Sequence, residues 1–181
     1  FPFLILLKKS DIIFLLFSLV FACLTFTKSA KATHMMGADI TYRCIDSFKF
    51  EVTLSYYRDC RGVPFNIGSF TVRCESSGAT QSVSMTRQYI KEITPICATE
   101  ASKCNPENQR AGEGIEQHVY TAILDFNKVP LSSMKNCAGK IIIETGQCCR
   151  NGAINTGAAN QNFITYAEID LNKAPCNSSP A

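Results

Sequence analysis

The chain has 181 residues, ten of them cysteine, with no tryptophan, two histidines and a formal net charge of +3. That length fits one domain, or one domain behind a leader, and is ample to bury a core; it argues against two full domains. Cysteine used this freely points to an oxidising compartment and away from a cytosolic enzyme.

Residues 1–32 read as a secretory signal peptide. Lys8 and Lys9 give a positive start, Ile12 to Phe26 is apolar apart from Ser18 and Thr25, and Ala30-Lys31-Ala32 supplies a small-x-small cleavage pattern, which predicts a mature start at Thr33. A retained anchor is the competing reading, but the apolar run is shorter than the roughly 20 residues a bilayer core needs. Lipidation at Cys23 is the third, and Phe21 makes a poor match to that signal. The chain begins with Phe1 rather than methionine, so a clipped start is expected. Removing the leader takes away Lys8, Lys9, Lys28 and Lys31 but only Asp11, so that basic and acidic side chains then balance. A balanced chain offers no electrostatic case for nucleic acid or an anionic membrane surface. Membrane contact is expected only through the cleaved leader.

The mature part opens on two runs of strand-forming residues. Ala38 to Arg43 is the first. In Phe48 to Tyr56 the large side chains Phe48, Phe50, Val52, Leu54 and Tyr56 alternate with Lys49, Glu51, Thr53 and Ser55, the two-residue period of a half-buried strand. Asp46-Ser47 between the runs predicts a tight antiparallel turn. Gly62 and Pro64 then make a loop. Ser69 to Cys74 is a strand with Phe70, Val72 and Cys74 on one face, and Ser76-Ser77-Gly78 turns the chain. Gln81 to Tyr89 is a single polar strand carrying Val83, Met85, Arg87 and Tyr89, expected at an edge or facing solvent.

Thr94 to Gly114 has no sustained period and reads as a long surface loop, which a Cys97–Cys104 disulfide would staple; each of these cysteines bridging elsewhere is the alternative. Val119 to Phe126 is a core strand, and Pro130 with Ser132-Ser133 marks the next loop. Lys140 to Thr145 is a strand leading to Cys148-Cys149. Neighbouring cysteines in a strand point to opposite faces, so each is expected to seek a different partner. Ile154 to Asn162 is loop, and in the last strand Phe163, Thr165, Ala167, Ile169 and Leu171 share a face. Asn172 to Ala181 runs out without a closing element.

Cys23 leaves with the leader, which leaves Cys44, Cys60, Cys74, Cys97, Cys104, Cys137, Cys148, Cys149 and Cys176. An odd set cannot pair completely within one chain. Cys176, close to the end, is expected to be the unpaired one, with its partner in a further portion of a longer chain. The fold class expected is therefore all-β: a disulfide-stapled antiparallel β-sandwich, immunoglobulin-like or related, over residues 33–181, behind a signal-peptide helix.

No catalytic motif, phosphate loop or cofactor fingerprint is present. His34 and His118 are isolated, and zinc on Cys148, Cys149 and His118 lacks the C-x-x-C spacing of a zinc site. Asp125 with Asn127, and Asp170 with Asn172, offer oxygens as calcium sites do, but turn chemistry accounts for both pairs. Redox activity at Cys148-Cys149 has only Arg150 nearby to lower a thiol pKa. Asn177-Ser178-Ser179 matches a glycosylation sequon. No metal, cofactor or catalytic residue is expected. An enzyme would need a cleft gathering Asp59, Glu116 or His118.

The segments THMMGADITYRC, FEVTLSYYRDCRG, CCRNGAI and CNSSP together span most of residues 33–180. In them the chain resembles the N-terminal domain of gliding-motility-associated, PKD-repeat-like secreted surface proteins of Gram-negative gliding bacteria. That resemblance implies a sandwich-like module opening a longer multidomain chain, export by a type IX route, and a role in adhesion or surface motility. It also implies a further cysteine-bearing portion beyond the NSSP segment. The expected function is a secreted or cell-surface structural and adhesive module. Its expected partners are other domains of the same chain, surface polysaccharide or other cell-surface proteins. The rival function is a carbohydrate-binding module whose sheet face exposes Tyr42, Tyr56, Tyr57 and Tyr89.

Overall fold

The computed structural model describes residues 18, 35–62, 64, 66–95, 97, 102–104, 114–148, 150 and 161–179. The chain divides into two units, Phe1–Lys31 and Ala32–Ala181, and the leader expected at 1–32 lies outside the described residues save Ser18. Among the described residues no helix is long and apolar enough to cross a membrane.

Among the described residues eight strands run in the order β1 (Met35–Asp46), β2 (Lys49–Asp59), β3 (Ser69–Cys74), β4 (Thr80–Ser84), β5 (Thr86–Glu92), β6 (Ile115–Asp125), β7 (Ile141–Gln147) and β8 (Phe163–Ile169), with one short 3-10 helix at Leu131–Met134. They form two four-stranded sheets, β1-β2-β6-β5 (sheet A) and β4-β3-β7-β8 (sheet B), and every named pairing is antiparallel. The fold is an all-β, disulfide-bridged sandwich, as the alternation of the sequence requires.

The core follows from that alternation. Phe50, Val52, Leu54 and Tyr56 of β2 stand opposite Leu124, Ala122, Tyr120 and His118 of β6, and all eight are buried. Sheet B contributes Phe70, Val72, Ile141, Ile143 and Ile169. Tyr56 of sheet A and Thr145 of sheet B join their hydroxyls at 2.9 Å in the interior. Burial, chiefly, pushes the Tyr56 hydroxyl from 10.0 up to about 12. The unfolded chain gives up this proton near pH 10 while the folded chain keeps it, so stability present below pH 10 is lost as pH rises from 10 toward 12. Tyr56→Phe is expected to cost about 1 kcal/mol at neutral pH through the lost bond and to lack that loss at high pH. The stabilities of the two proteins should converge between pH 9 and 11.5 in denaturant titrations; a constant gap would contradict the assignment.

Four details depart from the sequence expectation. Phe48 leaves the strand face and occupies the turn with a left-handed φ of 57°, its ring under the Lys135 ammonium at 4.3 Å. The single strand Gln81 to Tyr89 is divided between the sheets: the chain bends at Met85, whose N–H donates to Gly68 O at 2.9 Å, and β4 and β5 lie on either side of it. Such corners are how one extended segment serves two sheets. A register shift between Arg87 and Tyr89 then puts Tyr89 on the outer face, beside Val119. Strand β6 starts at Ile115 rather than Val119, because Glu116 and His118 are polar yet point inward.

The tail is the fourth departure. Phe48 N–H donates to Pro175 O at 2.8 Å and Ser179 N–H to Tyr42 O at 2.9 Å, while the Cys44 N–H reaches Ser178 Oγ at 3.1 Å. Residues 175–179 therefore run antiparallel to β1 along its free edge, the edge that a sheet must otherwise cover or blunt.

Candidate functional site

Two tetrapeptides, Asp125-Phe126-Asn127-Lys128 and Asp170-Leu171-Asn172-Lys173, terminate β6 and β8 in the same way. Each Asp Oδ1 accepts the N–H of the Asn two residues on, at 3.0 and 3.1 Å, each Lys approaches its Asp at 3.8 and 3.7 Å, and Phe126 and Leu171 are buried. These are side-chain-capped turns, and the Asp oxygen of each pair is engaged in its turn. The Asn177 amide of the sequon donates to Asp170 O at 3.2 Å and Ala174 O at 2.9 Å, inside the fold of the tail.

The disulfides correct two expectations. Cys44 bonds Cys176, Cys60 bonds Cys104 and Cys74 bonds Cys137; Cys148 is also disulfide-bonded, and Cys149 lies outside the described residues. The expected Cys97–Cys104 bridge is not formed: Cys97 is exposed and is the free cysteine among the described residues. The Cys60 N–H donates to Gly114 O at 2.9 Å, and Cys104 packs so tightly on Gly114 that a Cβ there would lie 2.7 Å from the Cys104 Sγ. That contact carries Cys104 to the end of β2, 5.0 Å from Cys60 between Cα atoms. Cys176, expected to be unpaired, is brought to Cys44 by the antiparallel tail.

Glu116 and His118 do come together, at 3.0 Å, with Arg58 3.1 Å from the same Glu116 oxygen. Arg58 and His118 are buried, so this cluster is an internal Arg58–Glu116 ion pair with His118 hydrogen-bonded to the same carboxylate. Asp59 alternates to the other face of β2 and accepts from Arg61. The three residues that an active site would gather therefore lie on two faces of sheet A. Cys60, Cys104 and Glu116 are the group of ligand atoms close enough for a metal among the described residues, and its two sulfurs are bonded to each other.

The tyrosines separate as well. Tyr56 is in the core, Tyr42 is half-buried with its hydroxyl donating to Glu168 O at 3.0 Å, and Tyr57 and Tyr89 lie on the outer face of sheet A. The Tyr57 hydroxyl donates to Asp39 at 3.3 Å; burial first, and the Asp39 carboxylate second, raise its pKa.

Sheet B carries a hollow on its outer face. Because Phe70, Val72, Ile141, Ile143 and Ile169 point in, Thr71, Arg73, Glu144, Gly146, Ile164, Tyr166 and Glu168 point out. Register sets Thr71 beside Glu144, Glu144 beside Tyr166 and Gly146 beside Ile164. Tyr166 and Ile164 are 62 % and 63 % exposed. A concave site of about 350 Å³ is lined by Thr71, Glu144, Gly146, Gln147, Asn162 and Ile164. A Cβ on Gly146 would meet only ordinary contacts, 3.4 Å to Phe163 O and 3.6 Å to the Ile164 side chain, so the glycine keeps the hollow open rather than relieving strain. Arg73 lies 3.6 Å from Glu144 and Lys140 pairs with Glu168, which leaves the face near neutral. An apolar edge beside amides, a hydroxyl and a carboxylate suits a neutral, hydroxyl-rich ring.

The sequence expectation missed this face. Its one signal was that placing Phe163, Thr165, Ala167 and Ile169 inward leaves Ile164 and Tyr166, two large side chains, on the solvent side of one strand. The chain matches no protein-family model, no curated protein and no solved structure.

Proposed function

We propose that this chain is a secreted or cell-surface structural and adhesive module of a larger multidomain protein, acting in adhesion or gliding motility. The observation that carries the reading is the placement of the bridges. They close intervals of 132, 44 and 63 residues and tie strand ends to loops and tail, so that each constrains the unfolded chain. Such bonds persist in oxidising surroundings, where resistance to shear and proteolysis is required. Deleting residues 35–179 from the encoded protein is expected to reduce cell attachment or spreading, with the intact protein reached by membrane-impermeant labels on whole cells. An intact protein reached only after lysis would overturn the reading.

The outer face of sheet B favours a second reading, a carbohydrate-binding module. Gly146→Leu would fill the hollow while the core stays intact. Retention on immobilised surface polysaccharide should fall at least tenfold with a thermal midpoint unchanged within about 2 °C, since surface changes alter stability by roughly 0.5 kcal/mol or less. Undiminished retention of the variant would assign any binding elsewhere.

A further inference from the structure

The Cys44–Cys176 bridge encloses nearly the whole described domain, joining residues 132 apart in sequence. The described strands begin with β1 at Met35 and the described tail ends at Ser179, hydrogen-bonded to Tyr42 of that same strand. A pull on the two chain ends is therefore transmitted from Met35 along β1 to Cys44, across the sulfur–sulfur bond, and out from Cys176. Strands β2 to β8, every buried residue of the two core clusters except Met35, and the open face of sheet B lie inside the closed interval.

We propose that the domain is a force-bypass clamp, in which tension passes through β1 and one covalent bond while the rest of the sandwich stays unloaded. The inference rests on the reading of the chain as a module within a longer surface protein, since only then is there load to carry.

Two physical points support it. The loaded segment of β1 is already extended, at about 3.3 Å per residue against a limit near 3.6 Å, so pulling it straight releases almost no length. The tail lies antiparallel to β1, so its hydrogen bonds, Ser179 to Tyr42 and Cys44 to Ser178, open one at a time under a pull on the C-terminal end. That opening stops at Cys176. Tension reaching the domain finds a bonded path through the edge strand β1 before it reaches β2 or any strand beyond it.

The test is single-molecule stretching of the full oxidised chain held at its two ends, before and after adding a reductant. The oxidised chain is expected to show no unfolding step on the scale of the domain. Reduction should add a length of roughly 450 Å, the contour of the 132-residue interval at about 3.5 Å per residue. The Cys44→Ser/Cys176→Ser variant, unreduced, should give an intermediate step, because Cys74–Cys137 still spans 63 of those residues. A long step from the oxidised wild-type chain, or no gain on reduction, would overturn the clamp. Because the measurement uses purified oxidised protein, either result leaves the cellular location untouched. Recovery of the protein inside the cell with its thiols reduced would instead overturn the surface reading.

Discussion

Serine at both Cys44 and Cys176 is expected to lower the stability of the domain by roughly 3 kcal/mol, the middle of the range for native disulfides closing long intervals. For a domain of this size that is a fall in thermal midpoint of about 10 °C. The bridge closes the longest interval in the described fold, 132 residues, so it removes the most freedom from the unfolded chain. It also holds the tail on β1, where the N–H groups of Phe48, Tyr42 and Cys44 reach Pro175, Ser179 and Ser178. Hydrogen exchange at those three amides should therefore accelerate in the variant more than at the centre of β2. Cys97→Ser is the internal control: the thiol is exposed and free, and its replacement should change stability by less than about 0.5 kcal/mol. Equal losses from the two changes would mean that the pairing is wrong. Calorimetry without reductant makes the comparison.

Phe50→Ala is expected to cost about 3–5 kcal/mol, the range for removing a fully enclosed aromatic ring. Phe50 is wholly buried and stands edge-to-face between Tyr42 at 6.0 Å and Phe126 at 6.2 Å. Its removal leaves a void whose walls are fixed by both sheets and by the β1–β2 turn, so little collapse can fill it. Phe163 is half-buried at the start of β8 and should cost clearly less. Chemical denaturation of Phe50→Ala and Phe163→Ala in parallel would decide this, and a loss at Phe50 below 1 kcal/mol would contradict the enclosed core.

Period-two alternation was enough to place β2, β3 and β8, whose large side chains face the core at alternate positions, while the β-branched run Ile141–Ile143, buried throughout, placed β7. It failed where a second requirement overrode burial. Glu116 points inward between Arg58 and His118, both of which meet its carboxylate, so the first half of β6 reads as polar and therefore as loop. Met85 is an extended residue in an extended run, and nothing in its neighbours marks the bend that sends β4 and β5 to different sheets. Phe48 continues the alternation of β2 by identity but sits at positive φ, a conformation its residue type does not advertise. Disulfide partners are set by the path of the chain in space, and spacing alone favoured Cys97–Cys104 because it ignored the contact of Cys104 with Gly114. The tail was missed for the same reason: its serines bond backbone groups of a strand more than a hundred residues earlier. The open face of sheet B was half legible, since Ile164 and Tyr166 follow from the inward set of β8, whereas the hollow beside them depends on Gly146 of β7 and Asn162, just before β8, lining one cavity.

The bridges close the fold and set its surroundings, and they are tested most directly by a non-reducing peptide map, with free-thiol labelling, of protein collected from the cell exterior. The expected map joins Cys44 to Cys176, Cys60 to Cys104 and Cys74 to Cys137, with the label on Cys97. A Cys97–Cys104 peptide, or label on several of the cysteines named as paired, would contradict both the fold's closure by its tail and the oxidising surroundings that the proposed function requires.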